Sequence, residues 1–252
     1  MSNLLSSVYV SSILFDSLVQ KGMSFNNWLQ QLLSLGIHGV EIREQHLGFP
    51  GWDQNEVIRA LSKRPYTKTT FATNFRLDDV MNATKRKNLL LQMDFVSSIN
   101  ARIIRVFPPS SRLNEKEMAL FSEIITKASN KELVLVVENT AQENLAKFKK
   151  IMDDFSTKAI GVTFDTGNAV LAKEDPVQMF KELREKIKYV HLKDISKLNM
   201  DDTYIGNGCV NFAAFVELLK EENMPLCLEF SGGDDPWKKV ELSLKKLDTL
   251  IT

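Results

Sequence analysis

The chain predicts a single-domain α/β protein of the (β/α)8 barrel (TIM barrel) class, and three observations carry that expectation. Eight short apolar runs, rich in β-branched residues, alternate with amphipathic stretches from one end of the 252 residues to the other. No Ser/Gly-rich linker or shift in composition divides them, so residues 1–252 are expected to form one domain, a normal length for a closed barrel. Four consecutive runs each end in a metal-ligand type of residue: Leu133-Val-Leu-Val-Val-Glu138, Gly161-Val-Thr-Phe-Asp165, Tyr189-Val-His191 and Leu226-Cys-Leu-Glu229.

In order, the strands are expected at 8–12, 39–43, 67–73, 102–107, 133–138, 161–165, 189–193 and 226–230. Their continuous hydrophobicity is that of parallel strands covered on both faces. Between them, helix boundaries announce themselves. Ser24 precedes an amphipathic run and Gly36 follows it, an N-cap and a C′ glycine. Thr140-Ala-Gln-Glu143 has the spacing of a capping box, which places a helix directly after the Glu138 strand. Asp175-Pro176 and Asp235-Pro236 each set a cap before a proline in the first turn. Asp78, Asn114 and Asn211 are the expected caps of helices 79–99, 115–129 and 212–222.

Composition narrows the partners. Lys plus Arg and Asp plus Glu are both 32, so no global basic field holds nucleic acid or an anionic membrane. No stretch is apolar over the ~18 residues a membrane helix needs. The opening MSNLLSSVYVSS lacks the basic region and long apolar core of a signal peptide. Cys209 and Cys227 form no C-x-x-C pair, and Cys227 lies within a strand; the expected compartment is the reducing cytoplasm. A homodimer is expected on general prevalence alone.

In a barrel of this class, active sites sit at the C-terminal ends of the strands. Glu138, Asp165, His191 and Glu229 all fall at that end, on strands five to eight. Side chains alternate between barrel interior and helix layer. With Glu138, Asp165 and Glu229 inward, Val136, Thr163 and Cys227 fill the layer beneath, and Val137, Phe164 and Leu228 pack under the helices. Neighbouring strands run about 4.8 Å apart, so inward groups at one level can share an ion. Three carboxylates that close repel, raising at least one pKa unless a cation intervenes. Three oxygen donors and an imidazole suit one divalent metal ion of the hard or borderline kind: Mn²⁺, Mg²⁺, Co²⁺ or Zn²⁺.

Six short motifs fall in order along the chain: Gly39-Val-Glu41-Ile-Arg43, Val137-Glu138-Asn139, Phe164-Asp165-Thr-Gly-Asn168, His191-Leu-Lys193-Asp194, Ile205-Gly-Asn-Gly208 and Leu228-Glu229. In these the chain resembles the xylose isomerase-like barrels, a family with sugar phosphate isomerases and epimerases and inosose isomerases and dehydratases. The resemblance implies one divalent metal held by Glu138, Asp165, His191 and Glu229. It also implies proton transfer by Glu138 and Glu229 on opposite faces of a small carbohydrate substrate. A metal that chelates a carbonyl and its neighbouring hydroxyl stabilises the metal-bound enediolate left when the carbon between them loses its proton. Reprotonation at the other carbon isomerises the substrate, and reprotonation on the opposite face epimerises it. Loss of a β-hydroxyl dehydrates it, the lyase alternative. A barrel that binds sugar without catalysis is the further rival, and its expected mark, a broken ligand set, is missing.

The pattern departs from ketose 3-epimerases at three places, with Asn144 for a glutamate, Asn168 for a histidine and Lys197 for an arginine. The DNA-repair endonucleases of the same fold need many histidines, whereas His38, His46 and His191 are all this chain has. Glu41 and Arg43 share inward parity, and either bind substrate hydroxyls or pair with each other. Asn168 is a candidate hydrogen-bond donor to substrate. Lys193 balances the charge around the ion or pairs with Asp194. The loop Gln45-His-Leu-Gly-Phe-Pro-Gly-Trp52 has the aromatics of a sugar lid, with His46 or Trp52 as contacts. Trp28 is expected in the core and His38 on the surface. Ser231-Gly-Gly233 offers N–H groups to a phosphate, but Asp234 and Asp235 would repel it. A neutral sugar, polyol or keto acid is the expected substrate in preference to a sugar phosphate.

Overall fold

A computed structural model describes residues 7–155, 157–222 and 224–251. Eight parallel strands close into a barrel: β1 Val8–Ser11, β2 Gly39–Arg43, β3 Lys68–Arg76, β4 Ile103–Phe107, β5 Val134–Glu138, β6 Ile160–Asp165, β7 Ile187–Leu192 and β8 Leu226–Leu228. They pair in sequence order and β8 returns to β1, so the sheet has no free edge. All eight expected strands are present, with ends displaced by a few residues.

The alternation inside the barrel follows the expected parity. Val136 and Cys227 join Tyr9 and Tyr189 in a small interior cluster, whereas Val137, Phe164 and Leu228 belong to the larger core beneath the helices. Gly39 makes room for this floor, since a β-carbon there would lie 2.7 Å from the Tyr9 ring. Tyr9 meets Tyr189 edge to face, and Tyr189 shares a 2.9 Å hydrogen bond with Thr70. The barrel is therefore solid below the level of the four ligand-type residues. Chemistry has only the C-terminal mouth to occupy.

Most caps stand where the residues place them: Ser24, Asn114, Asp175 and Asn211 each accept a backbone N–H of their helix, and Asp235 accepts from Lys238. Gly36 takes φ 78°. Two caps differ. Helix Ala83–Ser98 is capped by Asn82, not Asp78, because 77–81 form a 3-10 turn. Asp78 instead accepts Ser110 N–H from the next loop. Thr140 and Glu143 do hydrogen-bond, but side chain to side chain, and the helix starts later, at Leu145–Asp153, capped by Asn144. A short polar side chain four residues nearer the apolar run supplies the better first-turn acceptor.

The loop after β2 is not a lid. Trp52 and His46 are fully buried, and Trp52 packs edge-on or tilted among Phe25, Trp28 and His46 with ring centroids 5.1–5.3 Å away. Its indole N–H donates to Met23 O at 2.7 Å. Its aromatics therefore plug the space beneath helix Phe25–Ser34. Trp28 is core and His38 is exposed, as expected.

After β7 the chain makes a small hairpin, Asp194–Ile195 against Asp202–Thr203, and then wraps a loop around one carboxylate. Asp194 accepts N–H bonds from Ile195, Gly206, Gly208 and Val210 at 2.9–3.0 Å. A β-carbon at Gly208 would come within 2.2 Å of Asp194 Oδ1, which accounts for the Ile205-Gly-Asn-Gly208 motif. Asp194→Ala leaves these donors unpaired. It is expected to cost about 2–4 kcal/mol, read as a Tm lowered by about 4–16 °C in a chain of this length. An unchanged Tm would contradict the assignment.

No helix among the described residues is long and apolar enough to cross a membrane, and Cys209 and Cys227 are both free. The leader expectation concerns residues 1–12, of which 1–6 lie outside the described residues.

Candidate functional site

The mouth of the barrel gathers charge into one buried cluster. Glu138 and Asp165 are the last residues of β5 and β6, His191 faces inward on β7, and Glu229 directly follows β8. The Glu229 N–H donates to Leu192 O at 3.3 Å, so the β7 pairing holds its position. One ligand atom from each of the four lies within 4.8 Å of the others, and all four residues are buried.

Local structure divides the work of Asp165 between its two oxygens. Oδ1 caps the helix Thr166–Leu171 by accepting Asn168 N–H at 2.7 Å. Oδ2 faces the cluster, where Lys193 Nζ meets it at 3.0 Å. Asn139 locks the end of β6 by accepting Asp165 N–H at 2.7 Å and donating to Asp165 O at 3.0 Å.

Protein cations answer the repulsion among the carboxylates. Lys193 Nζ stands 3.0 Å from Asp165 Oδ2 and 2.7 Å from Glu229 Oε2. Arg43 Nη1 reaches Glu229 Oε1 at 3.1 Å, and Arg105 Nε reaches Glu138 Oε2 at 3.3 Å. His191 lies between two carboxylates, with Nδ1 2.8 Å from Glu138 Oε1 and Nε2 2.9 Å from Glu41 Oε2.

The titration behaviour follows from these contacts. Burial alone would lower the His191 pKa, but Glu41 and Glu138 raise it to about 10. Burial alone would raise Glu41; the charge and hydrogen bond of His191, with Arg43 and Arg105, instead hold it at about 2. Glu138 is likewise lowered against its burial, by Arg105, His191 and Lys193. Asp165 goes the other way: burial pushes it up to about 6, with Glu138 and Glu229 adding to the rise and Lys193 opposing it. One carboxylate is raised, as the crowding implied, and burial is the larger cause.

The donor set fits a divalent cation. Three carboxylates and one imidazole converge, and Asp165 Oδ2 and Glu229 Oε2 turn into the cluster towards the same cation, Lys193 Nζ. No thiolate joins the four, which favours a hard or borderline ion.

The secondary candidates divide. Arg43 and Lys193 line the cluster with side chains about one-tenth exposed, and Lys193 pairs with Asp165 and Glu229, not with Asp194. Glu41 has no exposed surface: one oxygen accepts from Ser11 Oγ at 2.7 Å and the other faces His191 Nε2 at 2.9 Å. Its contact with Arg43 is a distant 3.9 Å. Asn168 donates its amide to Asn139 O at 3.0 Å, supporting the site from behind. His46 is engaged at both nitrogens by Ser12 and Asp16.

Arg105 is the residue the sequence reading missed. It is fully buried on β4, donates to Thr73 O at 2.7 Å and lies 4.1 Å over the Phe107 ring. The signal was present, since Ile103, Arg105 and Phe107 share one parity and a charged residue mid-strand needs a partner.

The chain is 25% identical over 256 residues to an inosose dehydratase of Clostridium botulinum (strain Eklund 17B / Type B), covering 86% of this chain and 84% of that protein. An inosose dehydratase of Clostridium beijerinckii is 22% identical with the same coverage. Among solved structures, the IOLI protein with a bound zinc atom superposes with a TM-score of 0.76 at 13% identity, over 97% of both chains. A probable 3-DHS dehydratase, AsbF of Bacillus anthracis, superposes with a TM-score of 0.75 at 16% identity, over 96% of this chain and 98% of that one. At these identities the structural likeness speaks for the fold. The family model for xylose isomerase-like TIM barrels matches residues 29–250, and the chain belongs to that family.

Proposed function

We propose that this chain is a divalent-metal-dependent enzyme that isomerises or epimerises a small polyhydroxy carbonyl compound. The observation that carries this is the convergence of Glu138, Asp165, His191 and Glu229, on four successive strand ends, within 4.8 Å. These four would hold the ion, which when bound would polarise a substrate carbonyl and ease charge onto its oxygen.

The remaining chemistry belongs to the chain. Glu138 and Glu229 are both held ionised by neighbouring cations, so each is ready to accept a proton. They approach the centre from β5 and β8, on different sides of the mouth, as removal and return of a proton on two faces require. Arg43 and Lys193, at the rim beside Glu229, are placed to bind substrate oxygens and stabilise negative charge developing there. The solid floor keeps water from below.

A second reading has its own support: the inosose dehydratase relatives favour loss of water from the same carbanionic species. Incubation of the metal-loaded protein with a panel of keto-inositols and ketoses in deuterated water separates the two. Deuterium incorporation without loss of water is the expected result, and a dicarbonyl product lighter by one water establishes the lyase. Sugar binding indifferent to EDTA, with no exchange on any substrate, would contradict both.

A further inference from the structure

We infer that Glu41 is a positioning residue that fixes which nitrogen of His191 faces the metal-ligand set. This rests on the metal site proposed above. An imidazole can offer a lone pair from one nitrogen only while the other carries the proton. His191 Nε2 meets Glu41 Oε2 at 2.9 Å, whereas Nδ1 points to Glu138 Oε1 at 2.8 Å and towards Asp165 Oδ2 at 3.9 Å. Nδ1 is thus the nitrogen turned to Glu138 and Asp165 of the ligand set, so an ion held there takes the Nδ1 lone pair and leaves the proton on Nε2, where Glu41 accepts it. Nδ1 is left to serve the cluster.

Glu41 is itself held in place. Ser11 Oγ donates to its other oxygen at 2.7 Å, and β1 and β2 pair with Ser11 opposite Glu41, so the link is built into the sheet. Ser11, Glu41 and His191 have no exposed surface, which confines Glu41 to acting through the histidine. Carboxylates in this relation to a ligating histidine typically change metal affinity by about 10–100-fold.

The test uses chelator-treated full-length protein, with Zn²⁺ as the probe in isothermal titration calorimetry and ¹⁵N NMR of the histidine ring. Wild type is expected to bind one Zn²⁺ with His191 as the Nε2–H tautomer. Glu41→Leu is expected to bind about 10–100-fold more weakly, with that tautomer no longer dominant. Glu41→Gln, which still accepts through its amide oxygen, is expected to lie between; it carries the test if Glu41→Leu fails to fold, with Ser11→Ala expected to weaken binding less. Folded Glu41 variants with wild-type affinity and tautomer would overturn the inference. A wild-type protein that takes up no Zn²⁺ would instead overturn the metal site itself, whatever the variants do.

Discussion

Glu138→Gln is expected to lower kcat by about 10²–10⁴-fold on whichever substrate the wild type turns over. Glutamine keeps the volume and an oxygen facing His191 Nδ1, which Glu138 Oε1 meets at 2.8 Å, but it cannot take a proton from carbon. Metal affinity should fall as well, so the comparison is made with the ion saturating. A variant retaining more than a tenth of wild-type kcat would remove Glu138 from the proton-transfer role. Glu229→Gln provides the complementary measurement, because its carboxylate approaches from another strand, β8, and is held ionised by Lys193 and Arg43.

The largest effect on stability is expected at Arg105. Its side chain is fully buried, and its guanidinium meets Glu138 Oε2 at 3.3 Å and Thr73 O at 2.7 Å. Arg105→Leu removes a guanidinium that holds the buried Glu138 carboxylate ionised. Breaking such a pair from one side costs about 3–5 kcal/mol, or a Tm lower by about 6–20 °C. Thermal unfolding of Arg105→Leu, Glu138→Gln and the double variant measures the coupling. The double variant should be less destabilised than the sum of the two single changes. Strict additivity would show that the pair does not interact.

The barrel and the four convergent residues were legible because both depend on period. A parity of two along each strand decides which side chains share the interior, and one register error would have sent Glu138 and Asp165 in opposite directions. What escaped depends on contacts between distant segments. Asn82 and Asn144 displaced Asp78 and Thr140 as caps because helix starts follow the local path of the loop, which neighbouring elements set. Trp52 and His46 looked like lid residues, since aromatics among glycine and proline read alike whether they cover a sugar or fill a gap beside Trp28. Glu41 had the correct inward parity, yet its partner lies 150 positions away on β7, beyond any local pattern. Arg105 was overlooked for want of a counter-charge in its own segment, though its place on β4 was itself the clue.

The central measurement is anomalous diffraction from crystals soaked in Mn²⁺. One peak per chain is expected, bounded by Glu138, Asp165, His191 and Glu229, with Lys193 drawn away from Asp165. Absence of a peak there, with those carboxylates still neutralised by Lys193, Arg43 and Arg105, would contradict the metal site and the proposed reaction with it.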